Sequence, residues 1–324
     1  MRGLRTLWLS LATGFILFFY SERLFWTVLR PDESLAENVV TWLAYSLLAY
    51  IFLCAVKWAR ARAGLFLAGA LFGWLCEGTL AGTLYGTEPS APLPLCISHT
   101  GLSWHALISV MVGWYGVRWT LLQNNLRRTL QLTTGIGLFW AIWAVFPLQE
   151  NPPLVTSIPG FLKGALLTTL PLVFAYWLHD RCHPEEFTPN PIALGGCALL
   201  LAMAFAGQVA ALGILPLLIL PPLLLLLRAS LRAHRASEEG ADFLLSLSGP
   251  IADWNYIALT WMPLAATLGY ALGSGLATLP LPPLIYLVLA VAGFVALARC
   301  LKAVWGTKGG SPDADERRLS RARS

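Results

Sequence analysis

Long apolar runs follow one another along almost the entire chain, separated by short segments that hold charged residues, glycine or proline. A helix needs about 20 apolar residues to cross a bilayer, and about ten runs approach this length. These runs lie at residues 6–29, 38–56, 64–86, 101–122, 129–147, 160–178, 192–212, 213–227, 253–273 and 280–301. The pattern predicts an all-α fold, a polytopic transmembrane helix bundle of about ten spans.

The two ends of the chain differ in character. A basic start and an apolar stretch resemble a secretory signal peptide, but no small-residue cleavage site follows, so we expect an uncleaved first span. The last residues are rich in glycine, serine and charge and have no apolar period. We therefore expect an integral membrane helical domain over residues 1–305 and a disordered basic cytoplasmic tail over residues 306–324.

Composition agrees with a membrane location. Of the 324 residues, 57% are hydrophobic and 12% are charged, whereas a soluble domain carries about 25% charged residues. The mean hydropathy is +0.65 over the whole chain. This composition excludes an ordinary soluble globule. The six cysteines form no CxxC pair and mostly fall inside apolar runs, so they predict no disulfide framework.

The basic residues explain the net charge of +5 and indicate an orientation. They concentrate before the first run and in every second gap after it: Arg2, Arg5, Lys57, Arg60, Arg62, Arg127, Arg128, Arg228, Arg232 and Arg235. By the positive-inside rule, both termini are cytoplasmic, in a multi-pass protein of the cell (inner) membrane. Because lysine and arginine follow the loops, we expect membrane lipids as partners and no nucleic acid.

The run at residues 213–227 is short for an upright span and contains Pro216, Pro221 and Pro222. A broken or re-entrant segment is therefore an alternative to a full span. If this run merged with the preceding one, the basic loop at residues 228–235 would lie outside, against the charge rule. The charge pattern requires two crossings, or a hairpin, between residues 192 and 227.

Ionisable groups inside a span cost a few kcal/mol and are therefore candidate functional residues. The predicted orientation places four of them in the outer half of the membrane: Glu22, Glu77, His99 and His105. Glu77 and His105 each lie on a stripe of small residues, which allows another helix to approach closely. The stripes are Ala70, Gly73 and Ala81 for Glu77, and Gly101, Ser109 and Gly113 for His105. Because consecutive helices are usually neighbours, we expect Glu77 and His105 to pair.

The other two candidates depend on local structure. His99 would lie about 120° from His105 on one continuous α-helix, so the two converge only if His99 belongs to the preceding loop. Glu22 is surrounded in sequence by aromatic residues and is either a desolvated carboxylate or a marker of the outer interface. Gly78, Gly82 and Gly86 form a second predicted helix-packing ridge.

Two carboxylates and two imidazoles allow several kinds of chemistry. A glutamate and a histidine can transfer protons at neutral pH, with Glu77 as general acid or base, His105 as its partner, and His99 and Glu22 as supporting groups. The same residue types can bind zinc or iron, although the spacing matches no recognised metal motif. A third alternative is that Glu77 and His105 only bond one another and hold the bundle together.

Polar residues elsewhere predict mainly structural roles. His179 and His183 have the i, i+4 spacing of a metal pair, but histidines near a helix end are also common as partners of the helix dipole. Arg118 lies among aromatic residues and is interpreted as an anchor at the inner interface. Asp253 is interpreted as a helix start, and Gln208 as a hydrogen-bonding contact between helices.

The chain contains no P-loop, GxSxG, HExxH or EF-hand signature. The first hypothesis is a membrane enzyme that acts on a lipid, an isoprenoid or a lipidated product by Glu/His acid–base chemistry near the outer leaflet. The second is a transporter or permease for a small solute or lipid, for which the proline-broken run at 213–227 is typical. The third is a subunit or assembly factor of a membrane complex.

Overall fold

The computed structural model describes residues 2–26, 33–89, 91–237, 243–273, 275 and 279–306. Within these ranges every regular element is helical and no strand is present. The tail expected at residues 306–324 lies outside the described residues, apart from Gly306, which ends the last helix.

Nine helices form the frame of the bundle. They are α1 (Arg2–Phe18), α2 (Leu35–Val56), α3 (Arg62–Leu75), α4 (Leu126–Trp143), α5 (Ile158–Arg181), α6 (Pro191–Leu212), α7 (Leu215–Ser237), α8 (Trp261–Gly273) and α9 (Leu281–Gly306). Three π-helical segments complete it: π1 (Phe19–Arg23), π2 (Cys76–Ala81) and π3 (Gly101–Val117). The short α-helices are Leu24–Trp26, Cys96–His99, Arg118–Leu122, Phe243–Ser246 and Asp253–Ile257, and the 3₁₀ turns are Thr83–Tyr85, Phe146–Gln149, Pro184–Glu186 and Ala258–Thr260.

Eight helices among the described residues are long and apolar enough to cross a bilayer. They run over Gly3–Trp26, Leu35–Val56, Arg62–Ala81, Leu126–Gln149, Ile158–Arg181, Pro191–Leu212, Leu215–Ala236 and Pro283–Gly306. The chain is therefore a multi-pass membrane protein. The other two predicted spans, at residues 101–122 and 253–273, each consist of several helical elements. The first consists of π3 and the helix Arg118–Leu122. The second consists of the helix Asp253–Ile257, the 3₁₀ turn Ala258–Thr260 and α8.

Helices α6 and α7 form the hairpin that the charge pattern requires between residues 192 and 227. Gly213 joins them with a positive φ of 69°, a conformation that favours glycine. Near the end of α6, Gln208 donates a hydrogen bond to the carbonyl of Leu80 in π2 (3.3 Å). Near the end of α7, His234 Nε2 accepts a hydrogen bond from the backbone N–H of Arg60, just before α3 (3.0 Å). Because α3 and π2 separate these two contacts, α7 runs back along their length.

The core lies between α1, α2, α3 and π3, while α6 and α9 lie at the periphery with most of their surface exposed. Its largest fully buried side chains include five tryptophans: Trp74, Trp104, Trp114, Trp140 and Trp143. Trp104 also donates a hydrogen bond through Nε1 to the carbonyl of Tyr20 (2.8 Å), and Trp143 donates one to the carbonyl of Phe25. These two contacts fix the backbone within π1 and just after it.

Glycine allows the close contact between α3 and π3. A Cβ atom added at Gly73 would overlap the backbone carbonyl of Gly101, which cannot move like a side chain. A Cβ at Gly69 would lie 3.2 Å from the backbone of Ala106. The small residues on these two helices therefore pack against each other, as the stripes predict.

We predict that Gly73→Ala destabilises the protein, because the added methyl group has no space between the two backbones. The expected loss in the free energy of unfolding is about 1–3 kcal/mol. The matched control is Gly135→Ala in α4, where an added Cβ meets nothing within 4 Å. That change should be neutral or stabilise by about 0.5–1 kcal/mol. Thermal melting of detergent-purified protein measures both effects, and equal melting temperatures for the two variants would contradict the packing described for α3 and π3.

Candidate functional site

The candidate site lies where the three π-helical segments of the described chain meet. Ser21 and Glu22 lie on π1, Glu77 on π2 and His105 on π3. A π-helix is rare, and short π-helical turns are frequent at functional sites. All three segments therefore bring polar side chains to one region of an otherwise apolar bundle.

Glu77 and His105 form the centre of this site. The Oε1 atom of Glu77 lies 2.5 Å from Nε2 of His105, and the two residues are only 5% and 3% exposed. The other carboxylate oxygen of Glu77 accepts a hydrogen bond from the Thr83 hydroxyl. The contact that the small-residue stripes predict is present, and both oxygens of the buried carboxylate have partners.

A serine binds the opposite side of the histidine ring. Nδ1 of His105 lies 2.8 Å from the Ser21 hydroxyl, which lies 2.8 Å from the hydroxyl of Ser109. All four residues of the line Glu77–His105–Ser21–Ser109 are buried. Ser21 is missing from the predicted site, and its one sequence signal is its position beside Glu22.

This line of hydrogen bonds can hold a proton in more than one place. A neutral His105 donates to Glu77 from Nε2 and accepts from Ser21 at Nδ1, whereas a protonated ring donates from both nitrogens. A serine hydroxyl serves as donor or acceptor, so Ser21 fits either form of the ring. A proton can therefore move onto or off His105 without leaving a buried polar group unpaired, which would cost about 1–3 kcal/mol.

Glu22 belongs to a second line of contacts beside the first. Its Oε1 atom accepts a hydrogen bond from the Tyr45 hydroxyl (2.6 Å), and Oε2 accepts one from Trp26 Nε1 (3.0 Å). The Sγ atom of Cys76 lies 3.7 Å from the same Tyr45 hydroxyl. Glu22 therefore approaches the Glu77 pair through Tyr45 and Cys76 and not by direct contact with His105.

His99 faces another part of the bundle. It lies on the short helix Cys96–His99, separate from π3, and its Nδ1 atom lies 2.9 Å from the hydroxyl of Tyr286 on α9. No hydrogen bond joins it to Glu77 or His105 among the described residues. Of the four predicted site residues, the structure brings Glu77 and His105 into contact, places Glu22 next to them, and joins His99 to α9.

The predicted ridge of Gly78, Gly82 and Gly86 is wrong. The helix ends at Ala81, and Gly82 and Gly86 have positive φ values of 79° and 72°, which no α-helix contains. The chain turns back instead, and the Tyr85 hydroxyl donates to the Gly78 carbonyl (2.5 Å). This turn is what places Thr83 against Glu77.

The interpretation of Arg118 as an interface anchor is also wrong. Arg118 is 1% exposed, and its Nη2 group donates to Asp180 on α5 and to the carbonyl of Leu247 (2.8 Å). The Tyr256 hydroxyl donates to the other oxygen of Asp180 (2.7 Å). Arg118 is thus the centre of a second buried cluster, at the opposite end of the bundle from Glu77.

The two histidines near Asp180 do not form a metal pair. His179 is fully buried and its Nε2 atom accepts a hydrogen bond from Trp114 (3.3 Å). Helix α5 ends at Arg181, and His183 follows with a positive φ of 52° and lies 3.1 Å from Glu185. Because the helix stops between them, the i, i+4 spacing does not place the two rings on one face.

Comparison of the chain with protein-family models, curated proteins and solved structures finds no match. The functional argument therefore depends on the geometry of the site.

Proposed function

We propose that this protein is a membrane enzyme that carries out acid–base chemistry on a lipid-soluble substrate at the Glu77–His105 site. The observation that carries the proposal is the position of His105, held at one nitrogen by Glu77 (2.5 Å) and at the other by Ser21 (2.8 Å). In this proposal Glu77 is the general acid or base, and His105 is its partner. Glu22 supports the pair through Tyr45, whereas His99 is bonded to Tyr286 on α9 and has a more distant role.

Burial of the pair supports a catalytic role. A positioned general acid or base contributes about 100- to 10,000-fold to a reaction rate, and it needs an environment that tunes its proton affinity. Glu77 and His105 lie in an aromatic environment, with the ring of Phe72 centred 5.3 Å and that of Tyr45 6.2 Å from the His105 ring. Removal from water strengthens the interaction of this pair with each other and with a substrate.

The surroundings favour a lipid-soluble substrate. The described chain consists of apolar helices and short connections, so it offers little surface outside the membrane for a large polar substrate. Thr83 and Glu22 are the partly exposed residues of the site, and both lie near the same end of the bundle. In this proposal a substrate would approach from the membrane at this end, past these two side chains.

The proposal includes a topology of ten crossings. The protein lies in the inner cell membrane, and both of its termini are in the cytoplasm. Helix contacts support alternating directions: Asn255 contacts Leu121 and Thr129 at one end of the bundle. Gln149 contacts the Leu279 carbonyl at the other end.

We predict that a fluorescent protein fused after the last residue will fold in the cytoplasm and fluoresce. This orientation would be contradicted if the fluorescent fusion did not fluoresce and an enzyme reporter that works only in the periplasm were active at the same position.

We predict that Glu77→Gln lowers turnover of the substrate by about 100- to 10,000-fold, because the amide cannot accept or release the proton. The measurement is comparative lipidomics of a deletion strain that carries a plasmid for the wild-type protein, for a variant, or for neither. Wild-type protein should convert one lipid class into another. Cells with Glu77→Gln should have the same lipid profile as the deletion strain without the protein. Protein abundance in the membrane is measured in parallel.

The matched control is Glu186→Gln, the same change at an exposed carboxylate that pairs with Arg5 (3.1 Å) far from the site. This variant should restore the wild-type lipid profile. Identical lipid profiles of the deletion strain and the wild type would contradict the enzyme proposal. A Glu77→Gln variant that is abundant and restores the profile would contradict the role of Glu77.

A transporter is the second candidate, and the buried cluster of Arg118, Asp180 and Tyr256 favours it. A pathway for a solute needs polar groups toward both faces of the membrane, and this cluster lies at the end opposite Glu77. The enzyme is preferred because Glu77, His105, Ser21 and Ser109 form one continuous line of hydrogen bonds in a compact site. An unchanged lipid profile combined with a changed solute content of the cells would favour the transporter.

A further inference from the structure

We propose that Cys76, Glu77 and His105 bind a divalent transition-metal ion of the zinc type. Each residue offers one ligand atom, and these three atoms lie within 4.8 Å of one another. The exposed fractions are 5% for Cys76, 5% for Glu77 and 3% for His105. The inference concerns the same site as the proposed function, but it rests on ligand geometry and not on the reaction.

The donor set selects the class of metal. Thiolate, imidazole and carboxylate are the three ligand types of zinc in proteins, and catalytic zinc sites combine three protein ligands with one open position. A thiolate is a soft ligand that disfavours magnesium and calcium, which prefer oxygen. One cysteine, one histidine and one glutamate therefore fit a zinc-type ion with a fourth position left for water or substrate.

Each of the three ligands is also oriented by another side chain. The Ser21 hydroxyl holds Nδ1 of His105 at 2.8 Å, and the Thr83 hydroxyl binds the second oxygen of Glu77. The Cys76 thiol lies 3.7 Å from the Tyr45 hydroxyl. Partners of this kind fix the orientation of metal ligands, and their loss weakens metal binding. The supporting contacts of a metal site are thus present around all three donors.

Charge balance is consistent with a divalent ion in this buried place. When the His105 ring is protonated on both nitrogens, metal binding displaces two protons, one from the Cys76 thiol and one from Nε2 of His105. Two protons leave as a doubly charged cation arrives, so the net charge of the site does not change. Tyr45 and Glu22 form a short hydrogen-bonded route from Cys76 toward the exposed end of the bundle, by which the thiol proton can leave.

A metal in this position also preserves acid–base chemistry at the site. Water bound to zinc ionises near neutral pH and serves as a base or nucleophile. With a metal bound, Glu77 and His105 would act as ligands, and the acid–base role that the proposed function gives to Glu77 would pass to that water.

The test is a binding measurement on the full chain, purified in detergent and stripped with a chelator. Zinc is then added and counted by elemental mass spectrometry, and cobalt(II) is added separately because its thiolate absorption reports a cysteine ligand. Wild-type protein should bind about one zinc ion per chain. Cys76→Ser should lose the cobalt–thiolate absorption and bind no stoichiometric zinc.

Two further variants complete this experiment. Cys96→Ser replaces another buried cysteine that is 1% exposed, and it should bind zinc and cobalt like the wild type. Ser21→Ala removes the partner of His105 Nδ1 and should weaken zinc affinity by about 10- to 100-fold. Melting temperatures of the stripped proteins establish that each variant is folded.

The proposal is overturned if folded wild-type protein binds neither ion, or if Cys76→Ser binds zinc as tightly as the wild type. These outcomes are separate from the fate of the enzyme proposal. If the protein binds no zinc but the lipid profile depends on Glu77, the metal proposal is contradicted and the enzyme proposal is supported. If the protein binds stoichiometric zinc but the lipid profile does not change, the metal site is supported and the proposed reaction is contradicted.

Discussion

A carboxylate inside an apolar helix bundle must have partners, and the arrangement around Glu77 satisfies this constraint. Leaving a buried charge unpaired costs several kcal/mol, whereas a bonded partner offsets much of that cost. Both oxygens of Glu77 are engaged, one by His105 and one by Thr83. The partners come from different segments, so the backbones that carry them must lie close together.

Two features of the backbone meet this demand. Gly73 lets α3 approach the start of π3 so closely that a methyl group does not fit between them. The turn at Gly82, with its positive φ of 79°, reverses the chain and brings Thr83 back to Glu77. Tryptophan N–H groups bind the carbonyls of Tyr20 in π1 and of Phe25 just after it, and hold the wider helical turn that places Ser21 at the ring of His105. The polar site and the packing around it therefore depend on each other.

The sequence predicts the elements well where hydrophobic length is the main signal. The helical membrane architecture and the hairpin of α6 and α7 follow from apolar runs and the spacing of arginines. The Glu77–His105 contact was predictable because each residue lies on a stripe of small side chains. Its catalytic role is not tested by this contact and stays a proposal.

The surroundings of Arg118 and Ser21 were not predictable with the period of an α-helix. On an α-helix, His105 and Arg118 would lie about 140° apart, which suggests that Arg118 faces away from the polar side. A π-helix bonds residue i to i+5 and takes more residues per turn, so the same spacing buries Arg118 against Asp180. Ser21 was missed because nothing in its neighbourhood distinguishes a serine that bonds a histidine from one that bonds its own helix.

The central claim is that Glu77 and His105 act on one another across two helices, and a double-mutant cycle measures this most directly. The free energies of unfolding of the wild type, Glu77→Gln, His105→Gln and the double variant are determined on chelator-treated protein in detergent. Residues in direct contact show interaction energies of about 0.5–3 kcal/mol, and we predict a value in this range. Additive effects of the two substitutions would contradict the contact and the site built on it.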